Sequence, residues 1–173
     1  MKQSIKLFCL LAFMQIMVAN ANGQQLSNIY LTQKGKAAYR IAINNIYVVL
    51  SENGKLTEIK TDAYGTIIYN INKRVDQIGD VKIGFNYQGF VNNIGATPII
   101  YDYNGRIDRI GSLELKYNYN GLLVSIGGQS IIYNPDNTID RFDRFKIIYN
   151  YEKQVQQIDN SNGLIILQLN YDK

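Results

Sequence analysis

Neither histidine nor tryptophan occurs in this chain of 173 residues, and it holds one cysteine and two prolines. Without histidine, the commonest general base and metal ligand is gone. The single cysteine, Cys9, lies in an N-terminal apolar stretch. Lys2 and Lys6 precede a run from Ile5 to Val18, and Ala19-Asn20-Ala21 supplies a small-x-small cleavage pattern. Residues 1–21 therefore read as a secretory signal peptide. The run is short for a spanning helix and Gln15 interrupts it. Cleavage removes the thiol, so no disulfide or soft metal ligand is expected in the mature chain. It also removes Lys2 and Lys6, lowering the net charge by two from +4. A near-neutral chain is a poor partner for nucleic acid or an anionic membrane surface. No second apolar stretch reaches membrane length, so the mature chain is expected to have no membrane span and to be secreted or periplasmic.

What remains is rich in Tyr, Ile, Asn and Gly, a composition of strands joined by tight turns. Residues 22–30 form a polar lead-in, and residues 31–173 read as one β-repeat domain. Two loose units open that domain, LTQKGK with Gly35 four residues after Leu31, and LSENGKL with Gly54 four after Leu50. Tyr69 follows Leu50 by the same nineteen residues that separate Leu50 from Leu31. The two units are expected to lead directly into the regular array. Between them, Ala37–Leu50 is apolar and β-branched, which favours strand over helix.

From about residue 69 to 164 the chain repeats every sixteen residues. An aromatic anchor stands at Tyr69, Phe85, Tyr101, Tyr117, Tyr133 and Tyr149, each followed by Asn or Asp. Six residues after each anchor comes Val, Ile or Leu, and nine after comes Ile or Phe. Gly79, Gly95, Gly111 and Gly127 lie ten after the first four anchors. The Asn104-Gly105 and Asn120-Gly121 pairs tolerate positive φ and mark one bend; the Ile-Gly pair marks a second. Two bends in sixteen residues leave strands of about five residues, so each unit is one β-hairpin. The fold expected is all-β, an antiparallel meander of 16-residue β-hairpin repeats, curled or closed on itself, with a parallel β-solenoid as the alternative. A membrane barrel is disfavoured because such strands are too short to span a bilayer.

A loop of Tyr103-Asn104-Gly105 sets Asp102 opposite Arg106 and Tyr101 opposite Ile107. A second loop of three residues would set Ile107 opposite Tyr117, making an alternating Tyr–aliphatic ladder. Ile110 fits that face less easily, and a bulge is one way to bring it there. A fainter 32-residue rhythm places Asp76, Asp108 and Asp140 in alternate units.

The heptapeptide Tyr101-Asp102-Tyr103-Asn104-Gly105-Arg106-Ile107 resembles the YD repeat of Rhs-type proteins, whose core runs Y-D-x-x-G-R-L. The YDxxGRI…IG cadence over residues 66–160 also looks like that of small exported bacterial repeat proteins. The resemblance implies a β-hairpin array, which in YD proteins can wrap into a shell, and it carries no catalytic residue across.

Among chemically capable groups, Asp102 with Asp108 and Asp136 with Asp140 are the candidate carboxylate pairs for glycoside hydrolysis. The plainer explanation is solvated carboxylates paired with Arg106, Arg109 or Arg141. Nonapeptide and EF-hand calcium motifs are absent. No catalytic residue, metal ligand or cofactor is assigned. The candidate ligand-binding residues are Tyr87, Tyr103, Tyr119 and Tyr151, two after their anchors at the hairpin tips. Flat rings beside Asn suit a glycan or peptide surface. The alternative is that each ring folds back over its own turn. The function expected is a non-enzymatic structural or protein-interaction role at the cell envelope or outside it, with carbohydrate binding as the alternative. Partners would be an envelope protein or a glycan, and an open array could self-associate through its sheet edges.

Overall fold

The Asn or Asp after five of the six anchors closes its hairpin by accepting backbone hydrogen bonds inside its own loop, whereas Asn134 donates its side-chain amide to the Thr138 hydroxyl. Asp102 Oδ1 accepts the amides of Asn104 at 2.8 Å and Arg106 at 2.9 Å. Asn70 and Asn86 each hold two amides in the same way, and Asn118 and Asn150 each hold the amide four residues on. This is an Asx turn, for which a short side-chain acceptor is the requirement. The amide of Asp102 then donates to the Arg106 carbonyl at 2.8 Å, and Gly105 completes the loop with φ of 71°. Tyr101 faces Ile107, as the loop chemistry predicts.

The computed structural model describes residues 23–62, 65–160 and 163–168. The stretch read as a signal peptide lies outside them. Four longer strands come first: β1 (Gln25–Thr32), β2 (Ala37–Ile43), β3 (Ile46–Ser51) and β4 (Leu56–Thr61). β1 starts inside the stretch read as a polar lead-in. The array follows as β5 (Ile67–Tyr69), β6 (Val75–Ile78), β7 (Val81–Phe85), β8 (Val91–Ile94), β9 (Thr97–Tyr101) and β10 (Ile107–Ile110). It continues through β11 (Leu113–Tyr117), β12 (Leu123–Ile126), β13 (Gln129–Tyr133), β14 (Ile139–Phe142), β15 (Phe145–Tyr149) and β16 (Val155–Ile158). Last comes β17 (Ile165–Gln168).

The array is an antiparallel meander of twelve strands from β5 to β16. Its antiparallel ladders rule out the solenoid, and it remains an open sheet rather than closing into a barrel. The two N-terminal units do not run into it, contrary to expectation. They form a separate five-stranded sheet in the order β17-β1-β2-β3-β4, with β17 parallel to β1. Their strands are long enough to bury a whole alternating face, Ala37, Tyr39, Ile41 and Ile43 on β2, and that face packs on the array as one core.

The second bend is also shorter than expected. Gly111-Ser112 is a two-residue turn, with Ile110 opposite Leu113. Ile107 therefore does not sit opposite Tyr117. A bulge restores the apolar face: Ile107 pairs with Tyr101 but Arg109 with Ile100, so Asp108 is the extra residue. Ile107 and Ile110, three apart, thus both point inward and are completely buried. The same register shift recurs between the anchor strand and its partner in the hairpins built on Tyr69, Phe85, Tyr117, Tyr133 and Tyr149. Full burial of such an Ile contributes about 1.5–3 kcal/mol.

Candidate interaction surface

Because the meander alternates five-residue tip loops with two-residue turns, every tip loop emerges on the same edge of the twelve-stranded sheet. The second residue of each loop projects from that edge. Tyr87, Tyr103, Tyr119 and Tyr151 are 94–97 % exposed, so the rings stand clear of their turns instead of folding over them. Tyr87, Tyr103 and Tyr119 come from three consecutive hairpins; Pro135 separates Tyr119 from Tyr151 in the series. With two strands per step, neighbouring tips are spaced by about 9.5 Å at the strand level.

Beneath the row, charge is locally neutralised. Asp102 Oδ2 accepts from Arg106 Nε at 2.7 Å and also pairs with its NH2 group, and the Arg106 guanidinium lies 4.3 Å over the Tyr117 ring. Burial works to raise the Asp102 pKa, yet the amide and guanidinium bonds outweigh it and hold the carboxyl below its usual range. Asp136 accepts from the Thr138 hydroxyl at 2.7 Å and from Lys153 of the next tip at 3.0 Å, which lowers its pKa to about 2. Asp102 and Asp136 thus serve as loop ties within their own or adjacent tips. Asp108 sits on the bulge, exposed, and Asp140 occupies the equivalent bulge of a later hairpin. Among the described residues, no three His, Cys, Asp or Glu side chains gather closely enough to hold a metal.

A second set of contacts lies on the inner side of the tips, and sequence reasoning missed it. Each anchor hydroxyl from Tyr101 onward donates to the carbonyl ten residues back. Tyr101 bonds Val91 at 2.8 Å, Tyr133 bonds Leu123 at 2.7 Å, Tyr149 bonds Ile139 at 2.7 Å, and Tyr117 bonds Ile107. Burial pushes Tyr101, Tyr133 and Tyr149 up to about 12, and Tyr117 higher. Three of these acceptors, Ile107, Leu123 and Ile139, together with the equivalent Val155, use their amides as well, donating to the tips of the N-terminal hairpins. Ile107 donates to Gly54 at 3.0 Å, Leu123 to Glu52 at 3.0 Å, Ile139 to Gly35 at 3.3 Å, and Val155 to Gln33 at 2.8 Å. The available sequence signal was the glycine four residues after both Leu31 and Leu50.

No family model, curated protein or solved structure matches this chain. Its function is read from these surfaces.

Proposed function

We propose that this is an exported, non-enzymatic scaffold that acts through protein interaction at the cell envelope or outside the cell. The observation that carries the proposal is the row of exposed tip tyrosines on a stiff double-layered frame. Such rings are costly to leave in water and supply large contact area with little conformational entropy to lose on binding. Two of the four carboxylates considered for hydrolysis, Asp102 and Asp136, already have cationic partners, which suits a scaffold better than acid–base chemistry. The signal-like N-terminus supports export.

Carbohydrate binding is the second reading, favoured by Asn104 and Asn120 standing next to Tyr103 and Tyr119 at the exposed tips. Sugar rings stack on flat aromatics while amides bond their hydroxyls. Surface-protein capture and a glycan array, each run with wild type and with Tyr103→Ala/Tyr119→Ala, separate the two readings. Protein capture lost in the variant supports the first, and glycan retention lost in the variant supports the second. Capture of both kinds unchanged by the substitutions would overturn the tip row as the working surface.

A further inference from the structure

The five-stranded sheet meets the array through two hairpin tips, and each tip serves two consecutive repeats. In the β3–β4 tip, the second loop residue, Glu52, accepts Leu123, and the fourth, Gly54, accepts Ile107. The β1–β2 tip repeats this with Gln33 to Val155 and Gly35 to Ile139. An anchor ring closes each socket, Tyr117 against Gly54 and Tyr149 against Gly35, and a Cβ on either glycine would overlap the ring. One hairpin per two repeats is a 32-residue period, which coincides with the alternation of Asp76, Asp108 and Asp140 in the sequence.

The first two repeats present the same pair of amides, on Val75 and Val91, with Phe85 as the ring. They sit in the same bulged register as Ile107 and Leu123, yet among the described residues neither amide donates to a hairpin-tip carbonyl. Val91 is 6 % exposed, and beside it lies a cavity of about 350 Å³ lined by Lys55, Leu56, Phe90, Val91, Tyr101 and Gly105. Next to this cavity runs β4, the edge strand of the inner sheet, so two filled sockets are followed by an open place in the same series.

We propose that Val75 and Val91 form a third hairpin socket, and that a second copy of this chain fills it with one of its own array tips. The array displays the plug that the N-terminal hairpins already use. The tips Asp102–Arg106 and Asn118–Leu122 have the same two closing backbone bonds as Ser51–Lys55, and a positive-φ glycine at the fourth position. Among the described residues the carbonyls of Tyr103, Gly105, Tyr119 and Gly121 receive no hydrogen bond. The second loop position tolerates a large side chain, because Glu52 there keeps its side chain at the rim, 29 % exposed and paired with Lys36. Socket and plug lie on different parts of one chain, so the contact is heterologous and builds chains or rings of copies.

The inference rests on the interaction reading above, and its test reads a different surface. A disulfide-cyclised peptide carrying residues 117–123 is titrated into the isotope-labelled protein. The Val75 and Val91 amide resonances should shift saturably, those of Ile107 and Leu123 should stay in place, and a peptide with Gly121→Val should bind at least tenfold more weakly. Sedimentation velocity should show concentration-dependent association that the peptide competes away. Val91→Pro deletes the socket amide while leaving the tip row intact; it should abolish association yet keep any capture of partners by the tip tyrosines. Unmoved Val75 and Val91 resonances overturn the socket, and peptide binding by a protein that stays monomeric overturns the second copy as its occupant. The peptide titration uses unsubstituted protein, so it decides the matter even if Val91→Pro does not fold.

Discussion

Tyr39 and Tyr133 bring their hydroxyls to 3.3 Å across the two layers of the molecule. Tyr133 spends its proton on the Leu123 carbonyl, so Tyr39 must be the donor between them. The pair links the middle strand of the inner sheet to the array's anchor series. Because Tyr39 is fully buried, it has no water to fall back on. Tyr133→Phe removes two hydrogen bonds, to Leu123 and from Tyr39, and leaves the buried Tyr39 hydroxyl unpaired, so it should cost about 2–3 kcal/mol in urea unfolding. Tyr101→Phe removes only the bond to Val91 and should cost about 1 kcal/mol. Equal losses for the two would contradict the layered role assigned to Tyr133.

The anchor hydroxyls make stability fall at alkaline pH. Tyr101, Tyr133 and Tyr149 are raised to about 12 by burial, against about 10 in an unfolded chain. Their contribution is complete below pH about 10; between there and about 12 the unfolded chain releases protons that the folded one retains, so stability declines as pH rises. Urea midpoints measured from pH 8 to 12 should be level as far as these groups are concerned and then fall. A midpoint unchanged above pH 10 would refute their burial.

Glycine at the plug positions is demanded by contact as well as by backbone. Gly54 has φ of 71° and faces the Tyr117 ring, whereas Gly128 has φ of 86° and open space where a Cβ would go. Gly128→Ala should cost about 1 kcal/mol from conformation alone. Gly54→Ala adds overlap in a packed site and should cost about 3 kcal/mol or more. Thermal melts of the two variants check the ordering.

Replacing the tip tyrosines should leave the fold untouched. Tyr103→Ser and Tyr119→Ser remove rings that are 96 and 97 % exposed, so each melting curve should shift by no more than about 0.5 kcal/mol equivalent. A large destabilisation of either variant would show that the row is structural.

Much of the hairpin was legible because its causes are local. The Asx acceptor at Asp102, the glycine at Gly105 and the pairing of Tyr101 with Ile107 all lie within seven residues. The second bend was misjudged because Ile107 and Ile110 stand three apart, and a bulge or a longer loop can each reconcile that spacing with one buried face. Departure of the N-terminal hairpins from the array was hidden for another reason. Their tips share the loop chemistry of the array, and only the longer alternating strands β1 and β2 hinted that they could form a face of their own.

The tip tyrosines were identifiable from position alone, since the second residue of a closed five-residue loop points away from its strands. Their full exposure needed the fold, which puts none of the described residues over those rings. The opposite holds for the sockets. The amides of Ile107, Leu123, Ile139 and Val155 meet a hairpin tip and, among the described residues, those of Val75 and Val91 do not, although all six residues are ordinary aliphatics in equivalent places.

The sequence by itself determined the sixteen-residue hairpin, the side chains that close its loop and the row of rings at its tips, because each depends on short-range sterics and a hydrogen-bonding side chain of defined length. Tertiary structure alone decided that the array stays open, that a separate sheet lies against it, and which amides meet a hairpin tip. Those choices are made between backbone groups that every residue carries, so side chains record them only in the longer alternating strands of the N-terminal hairpins.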